Sequence, residues 1–275
     1  MPVPPGHPTA FLKYQGTGND FILLDWDSPS PPAPHVAVSL CDRRRGIGGD
    51  GLLLLCPPAH PAAAARMILY NPDGTRPEMC GNGLRCAAMH LASRHPPTAL
   101  PFVIDTDAGP RTCEVLSQAN PARIRVSMGL VSTPEDVVLD DYPLSVKYLS
   151  VGNPHAVLTA PHPTLDKQSL GPALCAHPRF PHGANIGFPS NIAADAFDLV
   201  VFERGAGFTL ACGTGACAAT VALASAGCLT TTSGVRVQLP GGILTIDFDP
   251  STRQAWLTGE TARVFHGTVP WPAPT

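Results

Sequence analysis

Two versions of one motif decide the predicted fold: CGNGLRCAAMHLA at residues 80–92 and CGTGACAATVALA at residues 212–224. Each begins with a cysteine, continues through small residues and enters an Ala-rich segment of helical character. This pattern predicts that Cys80 and Cys212 lie directly before a helix N-terminus, where exposed N–H groups and the positive end of the dipole favour a thiolate. An unperturbed thiol has a pKa of about 8.5, so a helix end can bring thiol and thiolate into balance. The two sulfurs are therefore candidates for an acid and a base.

Other segments recur at a nearly constant separation along the chain. Four pairs lie 132 to 134 residues apart: Cys80 and Cys212, Asn19 and Asn153, Asn71 and Glu203, and Gly109 and Gly242. A spacing held over four landmarks predicts two similar halves. We place the first half at 1–130 and the second at 131–261, and we expect 262–275 to return to the first.

The predicted elements are many short strands and few helices. Runs such as FILLD and RMILY, bounded by Gly, Pro, Asn or Asp, predict strands. Helices are predicted at 36–44, 80–93 and 212–227, with the arginines at 43–45 as the favourable cationic end of the first. Because helices do not alternate with strands, a parallel nucleotide-binding fold fits poorly. We predict an α+β fold of two pseudo-symmetric domains, each a curved, mainly antiparallel sheet wrapped round a central helix.

Composition excludes several classes of protein. With 275 residues, of which 44% are hydrophobic, the chain can build one large or two ordinary cores. A net charge of −3 gives no basic field for nucleic acid, and no apolar run reaches the length of a membrane span. The N-terminus MPVPPGHPTA lacks the features of a secretory signal and the nine cysteines are an odd number, so we predict a reducing, cytoplasmic setting. A small-molecule protein is the simplest remaining class.

Five segments together resemble the diaminopimelate epimerase family: KYQGTGNDF, RRRGIGGDG, NPDGTRPEMCGNGLRC, GNPHAV and ERGAGFTLACGTGACA. They span nearly the whole chain, and their joint order and spacing are highly specific, although GNPH alone would be weak. The resemblance implies the duplicated fold, an active site in the cleft between the halves, and a homodimer. It implies interconversion of LL- and meso-diaminopimelate, for lysine and the cell wall, without a cofactor or metal.

Chemistry explains why such a reaction needs two thiols. Inverting a Cα centre without pyridoxal phosphate requires one group to remove the proton and another to deliver one to the opposite face. Cys80 and Cys212 meet this need if they face each other and share one proton. N–H groups at both helix starts can bind the substrate carboxylate, those of Gly81 and Asn82 and of Gly213 and Thr214. A buried cysteine beside a turn is the alternative for one motif alone, but two copies in register favour catalysis.

The resemblance also implies the residues around the thiols. His155 and Glu203 are expected to tune the thiols, because a histidine favours a thiolate and a carboxylate holds a proton or disfavours it. Arg204 can bind the distal carboxylate with its planar fork, and Glu203 can pair with the distal ammonium. The remaining implied contacts are amide side chains: Asn19, Asn71, Asn153 and Asn185. As isolated residues, these asparagines are typical turn formers.

Two positions depart from the family pattern. Gly51 stands where some members carry Gln, and Phe208 in ERGAGFT stands where an acidic residue is frequent. Each position lacks a polar side-chain contact, so rate or substrate preference can differ, although we expect Thr209 to preserve the loop. Phe265 falls where members place an aromatic residue at the subunit contact, but an aromatic near a C-terminal strand fits a core equally well.

Two alternative functions stay open. The nearer one is a cofactor-independent racemase on the same scaffold, acting for example on histidine, although Glu203 and Arg204 together indicate a zwitterionic distal group. A zinc-binding or thiol-redox module would use four cysteines: Cys80, Cys86, Cys212 and Cys217. Five residues separate the first two of these, rather than the usual two to four. We therefore interpret Cys86 and Cys217 as small core residues.

Overall fold

The structure is a computed structural model that describes residues 3–28, 30–77, 79–94, 101–139, 141–142, 144–160 and 166–273. It divides into two compact units, unit 1 (Met1–Val126 and Gly259–Thr275) and unit 2 (Ser127–Thr258). The boundaries predicted at 130 and 261 lie close to these divisions. That the two units are duplicated halves stays a prediction.

The elements that begin in unit 1 are β1 (Pro8–Gly16), β2 (Asn19–Asp25), α1 (Pro34–Cys41), β3 (Gly51–Cys56), β4 (Ala63–Tyr70), α2 (Gly81–Arg94), β5 (Phe102–Thr106), β6 (Gly109–Ser117) and β7 (Ala122–Leu130). Those that begin in unit 2 are β8 (Glu135–Leu139), β9 (Leu144–Ser150), β10 (Pro154–Leu158), α3 (Lys167–Cys175), β11 (Asn185–Ser190), β12 (Ala196–Glu203), β13 (Gly207–Phe208), α4 (Gly213–Ser225), β14 (Val235–Leu239), β15 (Gly242–Asp249) and β16 (Gln254–Pro270). The unit boundaries fall within β7 and β16.

The sheet of unit 1 closes on itself around α2. Its strands are hydrogen-bonded in the order β1-β2-β3-β4-β5-β6-β7-β16, and β16 also pairs with β1. Pairs β2–β3 and β4–β5 are parallel. Helix α2 packs against β1, β2, β3, β4 and β6, and ten of its residues are buried. The helix is therefore the core around which the strands wrap.

The sheet of unit 2 follows the same plan around α4. Its order is β16-β15-β14-β12-β11-β10-β9-β8, with β13 paired to β12, and pairs β10–β11 and β12–β14 are parallel. Helix α4 packs against β9, β10, β11, β12 and β15. All residues from Gly213 to Leu223 are buried, so this helix is enclosed on every side along three turns. The predicted α+β fold, with a sheet wrapped round one helix in each unit, is confirmed.

The leucine run of β3 shows how sequence and packing correspond. Leu52 and Leu54 belong to the cluster that includes Leu40 of α1. Leu53 points the other way, and its Cδ2 lies 3.1 Å from where a Cβ on Gly83 of α2 would stand. Because helices cover both faces, the strand reads as a continuous apolar run instead of alternating. Gly83 permits this close approach, and a Cβ there would have to displace the Leu53 side chain.

Two helices differ from the sequence-based predictions. Helix α1 ends at Cys41, so the interpretation of residues 43–45 as its cationic end is wrong: Asp42 has left the helical conformation, and Arg43 pairs with Asp20 and Asp50. Helix α3 was not predicted, because Pro172 interrupts its helical pattern. Its N-terminus is capped by Asp166, whose side chain accepts from the backbone N–H of Gln168.

The longest of the described helices, α2, has 14 residues. About 20 apolar residues are needed to cross a bilayer, and none of the helices in the described ranges is a candidate membrane span.

Candidate active site

Cys80 lies directly before α2, as the sequence predicts. The backbone N–H of Gly83 points at its sulfur, with N and Sγ 3.4 Å apart, and the N–H of Leu84 donates to its carbonyl at 2.9 Å. These contacts close the first turn and place the half-buried sulfur among the N-terminal N–H groups of the helix.

Cys212 repeats this geometry at the N-cap of α4. Its sulfur accepts from the N–H of Gly215 at 3.4 Å, and its carbonyl accepts from Ala216 at 2.9 Å. A Cβ on Gly215 would stand 3.1 Å from the sulfur and 3.0 Å from Val201, so a larger residue would have to displace one of these side chains. The predicted position of both cysteines is confirmed, and their catalytic role stays a prediction.

The surroundings of the Cys212 sulfur are acidic. Its thiol donates to Oε2 of Glu203 at 3.1 Å, and Thr209 donates to Oε1 at 2.5 Å. Burial raises the pKa of Glu203, while both hydrogen bonds lower it in part. Burial and then the charge of Glu203 raise the pKa of Cys212 well above its usual range, outweighing the first-turn N–H. In this arrangement Cys212 is a protonated thiol, contrary to what a helix N-terminus alone predicts.

The predicted polar residues of unit 2 lie on adjacent strands or directly beside them. His155 of β10 pairs in register with Asn185 of β11, and Asn185 accepts from the backbone N–H of Arg204 at 2.8 Å. The Arg204 guanidinium donates to the His182 carbonyl. The structure therefore brings these predicted residues together, with the backbone and side chain of Arg204 both held.

His155 is neutral in this structure. Its Nε2 lies 3.0 Å from Oδ1 of Asn153, and complete burial lowers its pKa to about 3. A neutral ring carries no charge to stabilise a thiolate at neutral pH, so its expected influence on a thiol stays a prediction.

In unit 1 the predicted residues form two groups. Asn82 donates to Asn19 at 3.3 Å, and Asn19 donates to Asp50 at 2.8 Å, so these side chains adjoin the first turn of α2. Asn71 belongs instead to a turn, in which its side chain donates to Thr75 at 2.9 Å. Asn71 thus has the turn-forming contact expected of an isolated asparagine, and its contact with a substrate stays a prediction.

One residue of this region was missed by the sequence analysis. Arg85 is fully buried and donates to Thr17 Oγ1 at 2.7 Å and to Asn82 Oδ1 at 3.1 Å. A signal for it exists, because Arg85 is the one formally charged residue in the motif at 80–92. Charged side chains are rarely buried without polar partners, so a charge inside an apolar helix indicates a polar network.

The two departures from the family pattern have different structural causes. A Cβ on Gly51 would stand 2.9 Å from the carbonyl oxygen of Tyr70 and 3.0 Å from Leu69, so backbone occupies the space that a side chain would need. Phe208 packs edge to face against Phe202, with ring centroids 5.1 Å apart. Its ring therefore joins an apolar cluster instead of making a polar contact. Thr209 beside it holds Glu203, which supports the expectation that Thr209 preserves the loop.

The remaining motif cysteines are core residues. Cys86 and Cys217 have no exposed surface, which confirms their interpretation. Within the described ranges, no three His, Cys, Asp or Glu side chains group in a way that could hold a metal ion.

The fold is shared with solved structures of isomerases. One is a hydroxyproline epimerase from Agrobacterium vitis, with a TM-score of 0.72 and 15% identity, covering 97% of this chain and 94% of that one. Another is a methylitaconate-delta-isomerase, with a TM-score of 0.65 and 13% identity, covering 95% of each chain. At these identities the similarity shows the fold alone. The class that this similarity defines for the chain is therefore a fold class, that of these epimerase and isomerase structures.

The family follows from sequence. The model of the family described as diaminopimelate epimerase matches residues 11–134 and 147–264. A diaminopimelate epimerase of Synechococcus sp. (strain JA-2-3B'a(2-13)) is 39% identical over 94% of this chain and 98% of the relative. One of Halorhodospira halophila is 39% identical over 96% of each. The chain belongs to the diaminopimelate epimerase family, which confirms the resemblance and does not favour a histidine racemase.

Proposed function

We propose that this protein interconverts LL- and meso-2,6-diaminopimelate without a cofactor, using Cys80 and Cys212 as acid and base. The observation that carries the proposal is the matched first turn, in which a backbone N–H points at each sulfur from 3.4 Å. Two such turns in one member of this family supply the two thiols that a two-base inversion requires.

The contacts of Cys212 support a division of roles. Because its thiol donates to Glu203, Cys212 is the acid in this state, and Cys80 is the base as thiolate. Cys80 takes the Cα proton from one face, the carbanion is stabilised through its carboxylate, and Cys212 delivers its proton to the other face. Cys80 is then a thiol and Cys212 a thiolate, so the roles are exchanged for the reverse reaction.

Glu203 is suited to this exchange. Its pKa is raised by burial, so it can hold a proton while Cys212 is a thiolate, which avoids two adjacent negative charges. The described hydrogen bonds of the Glu203 side chain are with Thr209 and the sulfur, which supports the pKa-modulating role. We also propose that Glu203 contacts the distal ammonium group of the substrate, but these two hydrogen bonds do not bear on that contact.

The substrate carboxylates are proposed to bind at two kinds of donor. Backbone N–H groups at the two helix starts bind the reacting carboxylate and stabilise the charge that develops there, from Gly81 and Asn82 and from Gly213 and Thr214. Arg204 binds the distal carboxylate with its guanidinium fork. Amide side chains supply the remaining contacts: Asn19, Asn71, Asn153 and Asn185.

Isotope exchange tests the two-thiol proposal. Incubating LL-diaminopimelate with the protein in D₂O should give meso product deuterated at Cα. Cys80→Ala and Cys212→Ala should each lower the epimerisation rate by about 10³-fold or more, since each removes an acid or base. Cys86→Ala and Cys217→Ala are matched controls from the same helices and should retain activity. Epimerisation retained in both Cys80→Ala and Cys212→Ala would overturn the mechanism, and turnover of histidine in its place would overturn the substrate.

A homodimer with Phe265 at the subunit contact is a further part of the proposal. Phe265 is 46% exposed on β16, and its ring meets Phe11 of β1 edge to face at 5.9 Å. An exposed aromatic held by a second ring offers contact area at low entropic cost. Sedimentation analysis should give a dimer, and Phe265→Glu should shift it towards monomer; a monomer for the unchanged protein contradicts this part alone.

The pathway and compartment are proposed from the substrate. Diaminopimelate serves lysine and cell-wall precursor synthesis, for which the cytoplasm is the expected compartment. Growth of a diaminopimelate-requiring bacterium that lacks its own epimerase should be restored by this chain and not by Cys80→Ala.

A further inference from the structure

A chain of hydrogen bonds runs from inside α2 to the surface of unit 1. Arg85 Nη1 donates to Asn82 Oδ1 at 3.1 Å, and Asn82 Nδ2 donates to Asn19 Oδ1 at 3.3 Å. Asn19 Nδ2 donates to Asp50 Oδ2 at 2.8 Å, and Asp50 Oδ1 accepts from Arg43 at 2.7 Å. Two asparagines that we propose as substrate contacts are thus linked between an arginine and an aspartate.

The residues at the two ends of this hydrogen-bond chain, Arg85 and Asp50, fix the direction of both amides. A guanidinium can only donate, so the group of Asn82 that faces Arg85 must be its oxygen. A carboxylate can only accept, so the group of Asn19 that faces Asp50 must be its nitrogen. With Asn82 Oδ1 and Asn19 Nδ2 committed in this way, the contact between the amides pairs a donor with an acceptor. Reversing one amide would oppose two donors or two acceptors.

The arginine also orients a backbone peptide. Arg85 Nη1 lies 3.3 Å from the Gly81 carbonyl oxygen. The C=O and N–H of one trans peptide point in opposite directions, so holding this carbonyl towards the helix directs the Asn82 N–H out of its N-terminus. That N–H is one of the donors proposed for the reacting carboxylate.

The arginine is itself held rigidly. It has no exposed surface, and Nη2 donates to Thr17 Oγ1 in the β1–β2 turn at 2.7 Å. A Cβ on Gly16 would stand 3.2 Å from Nη2 and 3.1 Å from the Asn82 carbonyl oxygen, so the glycine lets this turn approach the helix closely. The turn before β2 and the first turn of α2 are joined through one side chain.

We propose that Arg85 and Asp50 are positioning residues that set the amide polarity of Asn82 and Asn19, so that this region presents N–H donors to the substrate carboxylate. This inference rests on the proposed function for its substrate. An amide nitrogen carries two N–H groups and can donate both along the chain and to a carboxylate. A reversed amide would direct its oxygen at the anion and repel it.

Paired variants test the two ends separately. Arg85→Met removes the donor inside the helix. Asp50→Asn keeps the shape of the acceptor, but an amide can also donate, so the Asn19 and Asn82 amides can turn round. Each should raise KM for both diaminopimelate isomers by about 10- to 100-fold, because the side-chain donors bind the carboxylate throughout the reaction. Asp50→Asn should change kcat by less than about threefold, whereas Arg85→Met should also lower kcat, because it releases the Gly81 carbonyl and with it the Asn82 N–H. Arg94→Met on the same helix and Asp25→Asn are the controls, since Asp25 also pairs with an arginine and is as exposed as Asp50, at 40%. Both controls should keep wild-type KM.

A double variant separates positioning from general structural damage. If Arg85 acts on binding through Asn82, Arg85→Met combined with Asn82→Ala should raise KM no further than Asn82→Ala alone. Additive losses, or unchanged KM in both Arg85→Met and Asp50→Asn, would overturn the proposal. If Arg85→Met does not fold, as judged by circular dichroism, Asp50→Asn decides, because its site is partly exposed and its shape is unchanged.

A structural measurement keeps this inference distinct from the proposed function. The side-chain NH₂ signals of Asn19 and Asn82, assigned by NMR in the protein without substrate, should shift in Asp50→Asn and in Arg85→Met but not in the controls. If the wild-type protein fails to epimerise diaminopimelate, the proposed substrate is refuted and the proposed amide polarity is not. Unchanged amide signals in both variants refute the amide polarity, whatever the substrate is.

Discussion

The two cysteine-led helices share a backbone but differ in the charge placed beside their first turns. In both, an N–H three residues on points at the sulfur from 3.4 Å. Helix α2 contains a fully buried arginine tied to its first turn, whereas α4 is uncharged and its cysteine contacts a buried glutamate from β12. The positions of the sulfurs are thus set by the repeated motif, and their environments by residues that the repeat does not share. The proposed acid and base need this difference, because identical sites would have no preferred protonation state.

After the loss of either cysteine itself, the largest expected effect comes from removing the charge beside Cys212. Glu203→Gln should lower the pKa of Cys212, since the carboxylate raises it, and should slow epimerisation by about 100-fold because Gln cannot hold a proton. The alkylation rate of Cys212 by iodoacetamide as a function of pH, followed by peptide mass spectrometry, measures the pKa. Glu114→Gln, which removes an ion-paired carboxylate in unit 1, is the control. An unchanged pH profile of alkylation would show that Glu203 does not raise the pKa of Cys212, and would contradict the electrostatic difference between the two helices.

A pH-dependent loss of stability should originate in unit 2. His155 has its pKa lowered to about 3 by burial, while an unfolded histidine titrates near 6.5. Between these values the unfolded chain binds a proton that the folded chain does not, so the free energy of unfolding falls as the pH drops below 6.5. We expect this contribution to reach about 2 kcal/mol at pH 5, by 1.4 kcal/mol per pH unit.

Urea denaturation at pH 7.5 and pH 5 measures this contribution. His155→Gln should lose less stability between the two pH values than the unchanged protein, and the exposed His266→Gln should not differ from it. Equal losses in all three proteins would show that His155 is not the buried group that titrates.

A smaller effect is expected at the distal end of the substrate. Arg204→Lys replaces a planar fork by a point charge, so KM for diaminopimelate should rise about tenfold with kcat nearly unchanged. The exposed Arg179→Lys is the control. A fall in kcat without a change in KM would indicate that Arg204 acts at the reacting end of the substrate. Arg204 would then belong to the environment of the reacting thiols instead of the distal site.

The smallest effect is expected at Phe208, which departs from the family pattern. Phe208→Leu should lower the free energy of unfolding by about 1 kcal/mol, because it loses the edge-to-face contact with Phe202. Leu116→Ala, at a side chain 51% exposed, should change it by less than about 0.5 kcal/mol. Urea denaturation measures both; a Phe208→Leu protein as stable as the control would show that the ring is not part of the core of unit 2.

Much of the fold could be predicted from sequence because its signals are local. The helices led by Cys80 and Cys212, the strand runs and the repeat spacing are all visible in the chain. Helix α3 was not visible, since Pro172 disrupts the pattern, and the end of α1 was misplaced because Arg43 leaves the helix for Asp20 and Asp50. These elements depend on capping and on ion pairs with distant residues.

The sequence by itself determined the family and the two cysteine-led turns, because each depends on residue types at short or repeated spacing. Only the tertiary structure decided that the Cys212 sulfur adjoins the Glu203 carboxylate. Burial and electrostatic contact join residues far apart in the chain, such as Arg85 with Thr17 and Asp50 with Asn19. Periodicity and spacing do not encode such contacts, so the protonation of Cys212 and the amide polarity of Asn82 follow from the folded chain.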